Sequence, residues 1–101
     1  MPEFANSFSG LKHDRKLTKE ELIRALRYFV AAEYEAVQLY MQLAESIDDK
    51  LAKAVLIDVS NEEREHAGEF LKVKKELDHE EFEFYKKGEE EVEEIMKKIK
   101  E

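Results

Sequence analysis

Cysteine is absent from this chain, proline occurs once and glycine only three times. Without cysteine there is no disulfide, no thiolate metal site and no thiol nucleophile. So little proline and glycine leaves few turns, which fits long helices rather than many short strands. No apolar run approaches the ~20 residues of a membrane span. The opening MPEFANSFSG has neither the basic nor the apolar region of a signal peptide. The chain therefore reads as cytoplasmic, with no membrane partner.

Charge is what the sequence has in abundance. Charged residues make up 42% of the 101 positions, and the net charge is −8. That balance argues against nucleic acid as a partner and suits cations. The 43% hydrophobic content supports one small domain with a thin core. Helical chains of this size often complete such a core against a second copy, so a homo-oligomer is expected.

Residues 1–16 have no helical period and read as a flexible arm that docks through Phe4, Phe8 and Leu11. Residues 17–101 form the helical domain. Thr18 and Glu21 make a T-x-x-E capping box, and Leu17 and Leu22 stand where a hydrophobic staple belongs. Helix 1 should run to about Ser46 with a stripe of Leu22, Leu26, Phe29, Val37, Tyr40 and Ala44. After a turn at Ser46–Asp49, helix 2 should run from about Lys50 to Leu77. Its stripe is Ala52, Val55, Val59, Phe70, Val73 and Leu77. A break at Asp78–His79, a short helical piece ending at Gly88 and a last amphipathic helix complete the expectation. That last helix carries Val92, Ile95, Met96 and Ile99, and its acidic start and basic end suit the helix dipole.

Each long stripe has a gap filled by a residue that binds metals. Glu33 stands four after Phe29 and four before Val37; Glu63 stands four after Val59, and His66 four before Phe70. Glu63 and His66 are three apart and share a face. Their neighbours Glu62, Glu65 and Glu69 fall off the stripe. If the turn centres on Asp48, Glu33 lies 15 residues before it and Glu63 15 after, so the ligands meet at one depth in an antiparallel hairpin. Burying lone carboxylates there is costly, and a bound cation removes the cost. The competing reading pairs these glutamates with Arg27 or Arg64 in a non-catalytic oligomerising hairpin.

Glu from one helix plus Glu-x-x-His from another is half of a ferritin-like di-iron site. A two-fold dimer would supply the other half and build a four-helix bundle. The oxygen-rich set with one imidazole suits Fe(II) or Mn(II) better than structural zinc. A rubrerythrin-like peroxidase is a further alternative, although such enzymes carry a complete site in one chain.

The segments EYEAVQLY (33–40) and EEREHA (62–67), with 29 residues between Glu33 and Glu63, closely resemble the encapsulated ferritins, the ferritin-like cargo of encapsulin nanocompartments. The resemblance covers about residues 18–77. It implies an all-α ferroxidase that oxidises Fe(II) with oxygen at a di-iron centre between two chains. Glu33, Glu63 and His66 would be the ligands, Glu63 bridging both irons, with Tyr40 beside the centre. Glu35 matches a family carboxylate that attracts iron, whereas Ala32 stands where another occurs. The resemblance also implies a ring of five dimers inside an encapsulin shell. The C-terminus lacks the short shell-targeting peptide of free-standing members, and other members are fused to the shell protein, so the sequence leaves both forms open.

Overall fold

The computed structural model describes residues 15–100, which form three helices: α1 (Lys19–Glu45), α2 (Lys50–Leu77) and α3 (His79–Lys100). No strand occurs among the described residues. The arm expected over residues 1–16 lies outside them, apart from Arg15 and Lys16.

Each helix begins where local chemistry satisfies its free N–H groups. The Thr18 hydroxyl accepts from the Glu21 amide at 3.2 Å, and Glu21 Oε1 accepts from the Thr18 amide at 2.8 Å. Arg15 donates to both Glu21 oxygens, at 2.8 and 2.9 Å, which extends the capping box by one residue outside the helix. That hydrogen bond to Arg15, followed by the one from Thr18, lowers the Glu21 carboxyl to about 2. Asp49 caps α2 by accepting from the Ala52 amide at 2.8 Å. Asp78 serves two helices. Its N–H donates to the Lys74 carbonyl to end α2, and its carboxylate accepts from the Glu81 amide to start α3.

Among the described residues the buried apolar ones are few: Ile23, Ala25, Leu26, Val30 and Ala44 of α1, and Ala67 of α2. The seam that α2 presents to α1 is Ser60, Ala67 and Lys74, spaced by seven and each buried. This shifts the expected α2 stripe, of which Ala52, Val59, Phe70 and Leu77 are half-buried while Val55 and Val73 are exposed. At about 100° per residue, Glu63, His66, Phe70 and Val73 stand roughly 40–120° around α2 from the middle of that seam. Small residues let the two backbones approach, and the larger apolar side chains are left on a flank. Val55 and Val73 of α2, with Leu22 and Phe29 of α1, are consequently exposed in the single chain.

The second correction concerns the C-terminal third. α3 is one helix of 22 residues that passes through Gly88 without a break, and Gly88 has no positive φ. Helical residues on both sides outweigh the ~1 kcal/mol that a mid-helix glycine costs relative to alanine. α3 is fastened to the hairpin at its first turns. Glu81 pairs with Arg27 of α1 and with Lys74 of α2. Tyr85 donates to Glu81 at 2.6 Å and accepts from Lys74 at 2.8 Å. Burial, and then the Arg27 cation nearby, push the Lys74 amine below its ordinary range.

Candidate metal centre

Glu33 lies midway along α1, and Glu63 and His66 lie at the matching depth of α2. The antiparallel hairpin brings one donor atom of each to within 4.8 Å of the others. The imidazole Nδ1 of His66 is 3.8 Å from Glu63 Oε2 and 3.9 Å from Glu33 Oε2. Both distances exceed a hydrogen bond, so the three groups converge without bonding one another.

Burial makes that convergence expensive. The Glu33 and Glu63 side chains are 16% and 21% exposed, and Glu33 Oε2 is buried with no hydrogen-bond partner. An unpaired buried acceptor forfeits its hydration, at a cost of ~1–3 kcal/mol and more when charged. The oxygen-rich donor set fits a divalent cation, which would supply the missing partner. His66, 47% exposed, forms the open rim of the cluster on the flank left uncovered by the hairpin.

The arginines that could have neutralised these carboxylates are engaged elsewhere. Arg27 pairs with Glu81, and Arg64 donates to Asn61 at 2.6 Å. Glu62, Glu65 and Glu69 are exposed, as their helical phase requires. Tyr40 is half-buried and stands two turns from Glu33, about 10 Å along α1. Glu35 is half-buried too, but about 200° around α1 from Glu33. The cluster formed within one chain is therefore Glu33, Glu63 and His66, and Glu35 does not belong to it.

Two buried polar residues of α2 were not marked by the sequence pattern. Ser60, one turn before Glu63, is 0% exposed and its hydroxyl has no partner. Lys74, 4% exposed, holds the far end of the same seam. Their spacing of seven through Ala67 was the available signal, hidden because none of the three is a large apolar residue.

Comparison with known proteins gives consistent relatives. No family model matches the chain. It is 40% identical over 85 residues to a ferritin-like–encapsulin shell fusion protein of Pyrococcus furiosus. It is 41% identical over 80 residues to the encapsulin nanocompartment cargo protein EncC of Myxococcus xanthus. Those matches cover 84% and 79% of this chain, but only 25% and 60% of the respective relatives. Among solved structures, the encapsulated ferritin domain from Pyrococcus furiosus matches with a TM-score of 0.79 at 40% identity. That match covers 85% of this chain and 88% of the other.

Proposed function

Because the chain belongs to the encapsulated-ferritin family, we propose that it is a ferroxidase whose di-iron site is completed by a second copy. The observation that carries this reading is the buried, unpartnered Glu33 Oε2 facing Glu63 and His66 at the edge of an open apolar flank. One chain offers two carboxylates and one imidazole. Two copies related by a two-fold axis would offer four carboxylates and two imidazoles, the ligand set of a ferritin-like di-iron centre.

In this reading Fe(II) is the substrate, and each ferrous ion gives up one electron to oxygen as it becomes Fe(III). Anionic oxygen ligands favour the higher charge of the product, so four carboxylates assist the oxidation electrostatically. In that site Glu63 would bridge the two ions, while Glu33 and His66 would each hold one. Tyr40 sits beside the centre, and Glu35, on the other side of α1, lies along a route by which iron arrives. The assembly is a ring of such dimers in the cytoplasm, enclosed by an encapsulin shell that receives the ferric product.

The proposal links metal binding to assembly, since cations bridging two copies relieve carboxylate repulsion across the interface. Sedimentation of the full chain with and without Fe(II) under nitrogen tests this, with a shift to larger species expected. Anomalous diffraction at the iron edge should find two ions per pair of chains, ligated by both copies. Identical sedimentation and no iron at Glu63 would refute the reading.

A further inference from the structure

Every residue of α3 from Glu83 to Lys100 is exposed, including an apolar stripe of Val92, Ile95, Met96 and Ile99. The sequence there, EVEEIMKKIK over 91–100, mirrors itself about its midpoint with the charges inverted. Moving outward from the centre, Ile95 matches Met96, Glu94 matches Lys97, and Glu93 matches Lys98. Val92 then matches Ile99, and Glu91 matches Lys100. Every step pairs apolar with apolar or acid with base.

The helix dipole accounts for Lys97, Lys98 and Lys100 in the last turn but not for the glutamates. Glu91 stands 12 residues beyond His79, where α3 begins, and the dipole acts within about the first turn. Pairing along the helix, such as Lys97 Nζ to Glu94 Oε1 at 3.5 Å, explains part of the charge order. It leaves the stripe open to water.

We infer that α3 is a self-complementary contact surface that pairs antiparallel with α3 of a second copy, about a two-fold axis between residues 95 and 96. At about 100° per residue the four apolar side chains fall within an arc of roughly 100°. Antiparallel overlap stacks Val92 on the partner's Ile99 and Ile95 on the partner's Met96. Glu91 and Lys98 border the stripe on one side, Glu93 and Lys100 on the other. The two-fold axis sets each border against its own copy, so Glu91 meets the partner's Lys98 and Glu93 meets the partner's Lys100. A parallel pair would instead set acid beside acid and base beside base. The overlap spans about 15 Å at 1.5 Å per residue, a size suited to one contact within an assembly held by other interfaces as well.

The chain has no cysteine, so introduced thiols report their own neighbours. Val92→Cys and Ile99→Cys chains are prepared separately, without iron, and oxidised mildly alone and mixed. The mixture should cross-link within minutes as dimers of one chain each. Each variant alone should stay uncrosslinked, because seven residues hold like thiols about 10 Å apart along the axis. Self-cross-linking of Val92→Cys at the same rate, or no cross-link in the mixture, overturns the inference. A second arm adds Glu91→Lys with Glu93→Lys to the first chain, or Lys98→Glu with Lys100→Glu to the second. Either change alone should reduce cross-linking at least tenfold, and both together should restore it. An unchanged yield, or no restoration, counts against the register. These positions are exposed, so folding is preserved, and no readout depends on iron chemistry.

Discussion

Glu33 Oε2 and His66 Nδ1 lie 3.9 Å apart across the boundary between α1 and α2. The gap is too long for a hydrogen bond and too short for the buried oxygen to keep a full hydration shell. A carboxylate in that position is a liability to the isolated chain and an asset only when a cation arrives. Stability without metal and activity with it should therefore move in opposite directions.

Glu33→Gln tests this directly. Removing a buried charge of poor solvation should leave the metal-free protein at least as stable, by about 1 kcal/mol, or ~4–8 °C in melting temperature at this size. Iron oxidation should fall to the uncatalysed rate. Glu62→Ala, turned about 100° from Glu63, should leave both properties near the parent. Oxygen-dependent Fe(III) formation and metal-free melting curves together decide. A Glu33→Gln protein that melts several degrees lower yet oxidises iron normally would mean that Glu33 serves only the fold.

The α1 cap makes a separate prediction about pH. Glu21 is lowered to about 2 by Arg15 and then by the Thr18 amide, against an ordinary value of 4.5. A depressed carboxyl stabilises the fold above its unfolded pKa, and the contribution disappears as pH falls through the folded value. The loss should occupy the window from about 4.5 down to about 2. Melting temperatures of the parent should decline more steeply across that window than those of Glu21→Gln. Parallel curves would show that the cap carries no pH-dependent stability.

What could be read from the sequence was local or nearly symmetrical about the turn. Thr18 with Glu21, Asp49 before α2, and equal distances from Asp48 to Glu33 and Glu63 needed only helix geometry. The seam of Ser60, Ala67 and Lys74 was not legible, because hydrophobic periodicity follows the bulkiest side chains. Here those face a flank that one chain leaves open. Nor could the pattern foresee that Glu81 joins Arg27 and Lys74, since these residues meet only where the first turn of α3 leaves the end of the hairpin. Gly88 looked like a stop for a related reason. A glycine ends a helix only when the chain must turn there, and the helix-forming residues after it impose no turn.

The Glu81 cluster should be the most sensitive polar feature outside the Glu33–Glu63–His66 cluster. Its carboxylate separates two cations, and Lys74 is nearly buried. Removing one partner of a buried ion pair leaves an uncompensated charge and typically costs ~3–5 kcal/mol. Glu81→Ala should fall at or a little below the lower end, because Arg27 is half-exposed. Adding Lys74→Met should recover much of the loss by removing the stranded amine. Urea unfolding of parent, single and double variants measures both steps. Equal stability of the single variant and the parent would show that the cluster is decorative.

Gly88→Ala separates the continuous α3 from a helix that ends at glycine. In the structure Gly88 is helical with no positive φ, and a Cβ built there meets nothing within 4 Å. Alanine adds no clash and narrows the unfolded ensemble, so the substitution should stabilise by about 0.5–1 kcal/mol. Helical content by circular dichroism should stay level or rise. Had Gly88 been a left-handed cap, the same methyl group would cost about 1 kcal/mol or more and fray the residues after it. The sign of the melting shift thus reports the backbone at a single position. A fall in melting temperature with loss of helicity would place the end of the helix at Gly88 and separate residues 91–100 from the part of α3 that Glu81 fastens.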